Sequence, residues 1–311
     1  MIFIEIKNLK KYFNKIKAVD NVSFNIESGQ IFGLLGPNGA GKSTLISILT
    51  TILEPDNGIV KIKGYDLKKE AKKIKPLIGF VPQEIALYPT LTAIENLNFW
   101  GKMYGIKGKK LKERIEFALE LTGLKARSKD RIEKYSGGMK RRINIACALL
   151  HNPELIIMDE PTVGIDTQSR KNILETVLNL NKAGITVIYT SHYMEEVEFL
   201  CSKIAIMDSG KILSIGTKDE LTASINSMDK INIELKDFCP KIEEKLKILE
   251  NISNVIVNNK DVTIISKDSD TALADIIRTI EINNCKIHTI TIDTPNLENV
   301  FLHLTGRDLR D

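Results

Sequence analysis

Three short stretches carry residue types and spacings that can do chemistry on a phosphate. In "GPNGAGKST" (36–44), Gly36, Gly41, Lys42 and Ser43 fit G-x-x-x-x-G-K-[ST], directly after the apolar run "IFGLL" and at the start of an apolar helical period. Glycines let successive backbone N–H groups curl around phosphates, and a helix N-terminus faces the negative charge. At this spacing Lys42 reaches the β and γ phosphates and the Ser43 hydroxyl ligates Mg2+, with Asn38, Gly39 and Thr44 of the same loop counted among the nucleotide-binding residues. In "LIIMDEP", Asp159 ends an apolar run where it can hold Mg2+ through water, and Glu160 follows it. A carboxylate beside a triphosphate can take the proton of an attacking water, which points to hydrolysis rather than transfer to a small substrate.

The third stretch is "YSGGMKRR" (135–142). Ser136, Gly137 and Gly138 precede a helical period beginning near Met139, and so offer a second helix N-terminus with free N–H groups and a hydroxyl. The site at Lys42 already suffices for phosphates within one chain. If both sites contact one γ-phosphate, the simplest geometry is two chains head to tail, each completing the other's site. Lys140, Arg141 and Arg142 then fall in the first turns of a helix, where the macrodipole disfavours cations, and are expected to serve surface or partner contacts. Apart from Tyr135 they lack stacking aromatics, so nucleic acid is not an expected partner.

These residues need elements to hold them. "MIFIEIKNLKKYF" and "AVDNVSFNIESGQIFGLLGPNG" read as several short strands broken by turn signals at Asn8, Asn21 and Gly29. A helical period dominates from Glu84 to about Leu150, and then "ELIIMDE" and "ITVIYTSH" are short apolar runs separated by a helix. Apolar strands alternating with helices indicate a parallel sheet covered on both faces, whose ligands sit at the carboxyl ends of the strands. Asp159, Glu160 and His192 all fall at such ends. "KIAIMDSGKILSIGT" closes a first domain near Thr217. After a linker over 218–228, residues 229–311 read β-α-β-β-α-β, a small α+β domain, followed by a helix with Thr294 as N-cap and Pro295 at its first position. His288 and His303 in this domain are surface or packing residues in this reading.

The chain has 311 residues, 43% of them hydrophobic, enough for about two domains. Its 44 basic and 40 acidic residues give a net charge of +4, too balanced to imply a polyanionic partner. Four cysteines, Cys147, Cys201, Cys239 and Cys285, stand at no metal-ligand or redox spacing, which fits a reducing cytosol. No apolar run reaches the roughly 18 residues needed to span a bilayer, so a membrane role would have to come through a partner chain.

With these motifs placed, the chain resembles the ATP-binding subunits of ABC transporters. "GPNGAGKST" resembles Walker A, "YSGGM" the signature, "LIIMDE" Walker B, Gln83 in "FVPQE" the Q-loop, Asp166 in "VGID" the D-loop and His192 in "YTSH" the switch histidine. The resemblance covers residues 1 to about 217. It implies a P-loop α/β core with an antiparallel β subdomain and a helical subdomain at about 84–150. It further implies that Tyr12 stacks on adenine, Gln83 senses Mg2+ and the attacking water, and His192 contacts the γ-phosphate. ATP and Mg2+ would be the cofactors, and the partners a second ATPase subunit, most simply the same chain, and a transmembrane permease holding the chain on the inner face of the cell membrane. The departures, Tyr135 and Met139 in the signature and Val163 and Gly164 before the D-loop, leave Ser136, Gly137 and Gly138 intact. Together with the ending "PNLENVFLHLTGRDLRD" they resemble the subfamily that powers drug and antibiotic exporters. A loop after Gln83 and an insert with Tyr88, Phe99, Trp100 and Tyr104 lie where this family receives a helix of the membrane subunit.

The alternative is a soluble mechanical ATPase of the same type acting on ribosomes or DNA. Such proteins carry two nucleotide domains or long coiled-coil inserts, and this chain has neither. Glu160 and His192 disfavour a regulator that binds without hydrolysing. If Lys42 supplies the point charge on the phosphates, Lys42→Ala weakens nucleotide binding, which calorimetry measures directly; unchanged affinity would contradict the assignment.

Overall fold

β1 (Ile2–Phe13) and β2 (Ile16–Glu27) run 12 residues each and pair antiparallel. The turns expected at Asn8 and Asn21 are bulges inside these long strands. Both residues have positive φ, 48° and 61°, and the register shifts on either side of Leu9. Asparagine tolerates left-handed backbone, so one residue type marks a turn or a bulge equally well. β3 (Ile31–Leu35) is buried along its whole length and leads into the loop that opens α1 (Lys42–Leu49). β4 (Asn57–Ile62) and β5 (Tyr65–Asp66) complete an antiparallel sheet of order β2-β1-β4-β5. This computed structural model describes residues 1–224, 228–239, 242–266, 268–293 and 296–305, which fall into two units, Met1–Lys218 together with the described residues from Leu304 on, and Asp219–His303.

α2 (Ala71–Ile74) leads to β6 (Ile78–Val81), and three longer helices follow: α3 (Ala93–Met103), α4 (Gly108–Leu121) and α5 (Gly137–Leu149). Helix begins at Ala93 rather than at Glu84. Pro89 disfavours helix before it, and Thr92 caps α3 through a reciprocal box with Glu95, so residues 84–92 stay irregular.

The chain then returns to the sheet with β7 (Leu155–Met158), α6 (Thr167–Lys182), β8 (Thr186–Ser191), α7 (Met194–Leu200), β9 (Lys203–Asp208) and β10 (Lys211–Gly216). Strand order is β10-β9-β3-β8-β7-β6, parallel except for the β9–β10 hairpin. β3, β7 and β8 are buried throughout, as strands covered on both faces must be. Because β3, β7 and β8 run the same way, the loop after Leu35, Asp159 and His192 all emerge at one end of the sheet.

α8 (Lys218–Ala223) is a short helix in the stretch expected as linker. The second unit follows with β11 (Asp229–Leu235), α9 (Ile242–Leu246), β12 (Ile252–Asn258), β13 (Asp261–Ser266), α10 (Ser269–Ile282) and β14 (Ile287–Asp293). Its antiparallel sheet has the order β12-β13-β11-β14, a split βαβ arrangement over a core that includes Ile231, Ile233, Ile264, Ile276 and Ile280. α11 (Leu297–Thr305) buries Leu297, Val300 and Phe301, while the expected cap, Thr294 and Pro295, lies outside the described residues. Cys239 and Cys285, expected unpaired, form a disulfide across a separation of 46 residues. Linear spacing misleads here because β11 and β14 are neighbours, and one cysteine follows the end of β11 while the other precedes the start of β14. Among the described residues no helix is long and apolar enough to cross a membrane.

One close approach fixes α5 on the sheet. A Cβ on Gly79 of β6 would lie 2.5 Å from the Ala148 carbonyl oxygen. Gly79→Ala is expected to destabilise the chain by about 1–3 kcal/mol, the usual cost of overpacking, read as a lower denaturant midpoint with unchanged slope.

Candidate functional site

The loop after β3 frames a cavity of about 520 Å³ lined by Pro37, Asn38, Gly39, Gly41, Lys42, Ser43 and Thr44, with Gln83, Glu160, Ser209 and Lys15 to Ala18. Glycine is required at two of its corners. A Cβ on Gly36 would stand 2.2 Å from the Met207 carbonyl oxygen, and one on Gly41, whose φ is +103°, 2.1 Å from that of Ala18.

Lys42 is 4% exposed, and its Nζ donates to the carbonyls of Gly36 at 2.6 Å and Pro37 at 3.1 Å. The same Nζ is 3.3 Å from Glu160 Oε1, and His192 Nδ1 lies 3.3 Å from Glu160 Oε2. The histidine contact has ion-pair distance without hydrogen-bond alignment. Glu160 takes a left-handed conformation, φ 46°, that non-glycine residues seldom adopt, and its N–H donates to Thr190 Oγ1 at 2.9 Å. The Thr190 hydroxyl donates in turn to Asp159 Oδ1 at 2.9 Å, so one side chain at the end of β8 secures both acids. Burial pushes the Asp159 carboxyl above its ordinary value; the Thr190 bond opposes this, Glu160's charge adds to it, and the Ser43 hydroxyl also bonds Asp159. A buried carboxylate, a hydroxyl and the nearby Gln83 form an all-oxygen donor set of the kind a hard divalent cation takes.

The basic residues of "MKRR" do not serve the surface alone. Arg141 is 3% exposed and donates to the carbonyls of Pro82, at 2.6 Å, and Gln83, while Arg142 donates to the Thr122 carbonyl at 3.0 Å. The carbonyls before α3 and after α4 lack partners in their own elements, and these arginines satisfy them. Tyr135 is likewise internal, its hydroxyl donating to the Arg127 carbonyl at 2.5 Å.

Lys42, Ser43, Gln83, Asp159, Glu160 and His192 thus meet in one place. Three other elements do not join them. Ser136 caps α5 by accepting from the Met139 N–H at 3.3 Å, and neither it nor Gly137 or Gly138 lines the cavity. Asp166 caps α6 by accepting from Ser169 N–H at 2.9 Å, a backbone bond that draws its carboxyl below its ordinary value. Tyr12 also stands outside the lining, its hydroxyl donating to Asp20 Oδ1 at 2.8 Å. Sequence reasoning missed Thr190, although the carboxyl end of an apolar strand was a signal. It missed the hairpin residues Lys15 to Ala18, which have no chemical signature.

The sequence family described as ABC transporter matches residues 19–163. The linearmycin resistance ATP-binding protein LnrL of Bacillus subtilis is 47% identical over 310 residues, covering 99% of this chain and all of that protein. The daunorubicin/doxorubicin resistance ATP-binding protein DrrA of Streptomyces peucetius is 34% identical, covering 99% of this chain and 94% of that one. A solved ATP-binding cassette, in a dimeric post-hydrolysis state bound to ADP and Pi, superposes with a TM-score of 0.62 at 29% identity, covering 69% of this chain and 98% of its own. The chain belongs to the ABC transporter family as an ATP-binding subunit, and its activity is ATP hydrolysis.

The raised Asp159 carboxyl predicts a stability change opposite in sign to its effect on function. A folded-state value above the ordinary 3.8 means that the folded chain binds more protons than the unfolded one in that window, so stability falls as pH rises through it. Asp159→Asn removes this dependence. Without nucleotide, its melting temperature is expected to exceed that of the native chain at neutral pH, with the gap closing as the pH falls through the raised value towards 3.8. A gap that grows on acidification would contradict the assignment.

Proposed function

We propose that two copies of this chain bind MgATP head to tail and drive export through a separate membrane-spanning permease. The observation that carries this reading is the separation of anion-binding groups within one chain. Lys42 and the glycine loop frame one cavity, while the capped N-terminus of α5, with Ser136 and Gly137 exposed, takes no part in lining it. A second copy brings the two together. The solved dimeric cassette supports the pairing, and the resistance relatives support export of a drug-like compound.

In this reading residues 1–217 are the catalytic domain and 229–311 an accessory domain. Lys42 exchanges the carbonyls of Gly36 and Pro37 for β and γ phosphate oxygens. Ser43, Gln83 and Asp159 hold Mg2+, which when bound offsets the charge of those phosphates. Glu160 accepts the proton of the attacking water, and His192, beside it, donates to the γ-phosphate. Ser136, Gly137, Gly138 and Asp166 close the facing copy's site, and Tyr12 stacks on adenine. Tyr88, 46% exposed and edge-on to Phe99, lies in the region that meets the permease, which keeps the chain at the inner face of the membrane.

Glu160→Gln is expected to keep ATP binding, lower hydrolysis about 10²- to 10⁴-fold and accumulate an ATP-bound dimer by size-exclusion chromatography. Near-normal turnover would remove Glu160 from the role of base. Ser136→Arg is expected to bind nucleotide as a monomer yet neither dimerise nor hydrolyse. Mixed with Lys42→Ala, it allows dimers in which one site gathers both lesions and the other neither. Activity regained on mixing two inactive proteins is the expected outcome, and normal hydrolysis by Ser136→Arg alone would sink the shared-site geometry.

A further inference from the structure

Glu196 of α7 is a buried carboxylate with no part in the reaction proposed above. It is 3% exposed, and three hydroxyls converge on its Oε2: Thr162 donates at 2.7 Å, Tyr189 at 2.8 Å and Ser191 at 3.0 Å. Arg170 Nε stands 3.3 Å from the other oxygen, Oε1. The Arg170 guanidinium lies 4.5 Å from the centroid of the Tyr193 ring, and that ring packs on His192 at 4.2 Å. Ser191 Oγ also accepts from the Tyr193 N–H at 2.9 Å, so the residues on both sides of His192 are fixed.

The partners of Glu196 lie next to the residues assigned to chemistry. Thr162 is two positions after Glu160, in the loop that ends at Asp166. Arg170 is in the first turn of α6, its N–H donating to the Asp166 carbonyl at 2.8 Å. Ser191 and Tyr193 flank His192. One carboxylate therefore ties together the segments that carry Glu160, Asp166 and His192, from a loop, a strand end and a helix start.

The arms of this network differ in stiffness. An ionised carboxylate only accepts, so each hydroxyl must donate to it, and burial together with Glu196's charge holds the Tyr189 hydroxyl well above its ordinary range, keeping it a donor. Displacing any of the three would leave a buried polar group unsatisfied. The Arg170 arm is looser: Nε and Oε1 are at ion-pair distance but have no hydrogen-bond alignment. A shift of Arg170 with the first turn of α6 changes its pull on Oε1, and the carboxylate carries that change to Thr162, Tyr189 and Ser191 through their bonds to Oε2.

We infer that Glu196 is the positioning residue that holds the Glu160–Asp166 loop and His192 in one register, and passes a displacement of Asp166 to His192 and Glu160. This rests on the roles proposed for those three residues. It assigns the coupling to charge and geometry inside one chain, away from the phosphate cradle, and so predicts a defect in turnover without a defect in nucleotide affinity.

The full-length chain is assayed for steady-state MgATP hydrolysis, with nucleotide affinity from calorimetry and folded content from circular dichroism. In Glu196→Gln the amide oxygen can take the place of Oε2 but offers the three hydroxyls a neutral acceptor, and the NH2 group in the place of Oε1 lacks the charge that attracts Arg170. The expected result is a kcat lowered about tenfold or more at unchanged nucleotide affinity, with Arg170→Gln adding no further loss in that background. Ser191→Ala removes the arm beside His192, both its bond to Glu196 and its bond from the Tyr193 N–H, and strands no charge, so it tests the same inference should Glu196→Gln fail to fold. It is expected to lower kcat in the same way. Wild-type kcat in Ser191→Ala, or losses in both variants that merely follow folded content, overturn the inference. Glu160→Gln is run beside them: if it retains turnover, the proposed chemistry fails; if it is inactive while Glu196→Gln and Ser191→Ala turn over normally, only the coupling role fails.

Discussion

The ion pair between Lys42 and Glu160 is the contact on which the site's architecture turns. Both side chains are nearly inaccessible, at 5% and 8%, and 3.3 Å apart. A buried pair seldom contributes net stability, because desolvating two charges costs about as much as their attraction returns. What it demands is precise support, since either charge left alone would be far more costly. That demand explains the sheet. β8 lies between β3 and β7, and its Thr190 bonds the backbone of Glu160 and the carboxylate of Asp159. Only parallel strands ending at one level bring the lysine loop, the acids and the histidine to the same place.

The helices carry the same constraint outward. Arg141 reaches from α5 to the carbonyls of Pro82 and Gln83, and Asn144 of the same helix accepts from the Ala86 N–H at 3.4 Å. Gly138, at the start of α5, is so close to α6 that a Cβ would lie 2.2 Å from Ser169 Cβ. Ser169 is the residue whose N–H Asp166 caps. The loop bearing Gln83, the helix start bearing Ser136 and the helix start bearing Asp166 are therefore in contact through α5. In a shared-site dimer, this links the group facing one's own nucleotide to the group facing the partner's.

Much of this was legible in the sequence, for a definable reason. Gly36, Gly41, Lys42, Ser43, Asp159 and Glu160 act through local geometry, in which a strand end, a tight loop and a helix start each leave a pattern within ten residues. What was not legible depends on distant chain. Arg141 looks solvent-facing at a helix start, until carbonyls 58 and 59 residues away prove to need a donor. Asn8 and Asn21 carry the same signal whether the chain reverses or bulges, and only pairing with β2 decides between them. Cys239 and Cys285 become neighbours through strand order, which no spacing rule encodes. Glu196 looks like an ordinary acid in the first turn of α7, because its partners come from three other segments.

The features of the site that cost stability are all of one kind. Glu160 sits in a left-handed conformation, two carboxylates are crowded at the end of β7, and burial drives the Asp159 carboxyl upward. Lys42, the compensating cation, is occupied by its own loop's carbonyls. The electrostatic costs would fall if a divalent cation and a triphosphate entered: the carboxylates would gain a counter-charge, and the ammonium better acceptors than neutral carbonyls. A chain built this way stores its strain where the ligand binds, so binding energy is directed into ordering the groups around Glu160 instead of into affinity alone.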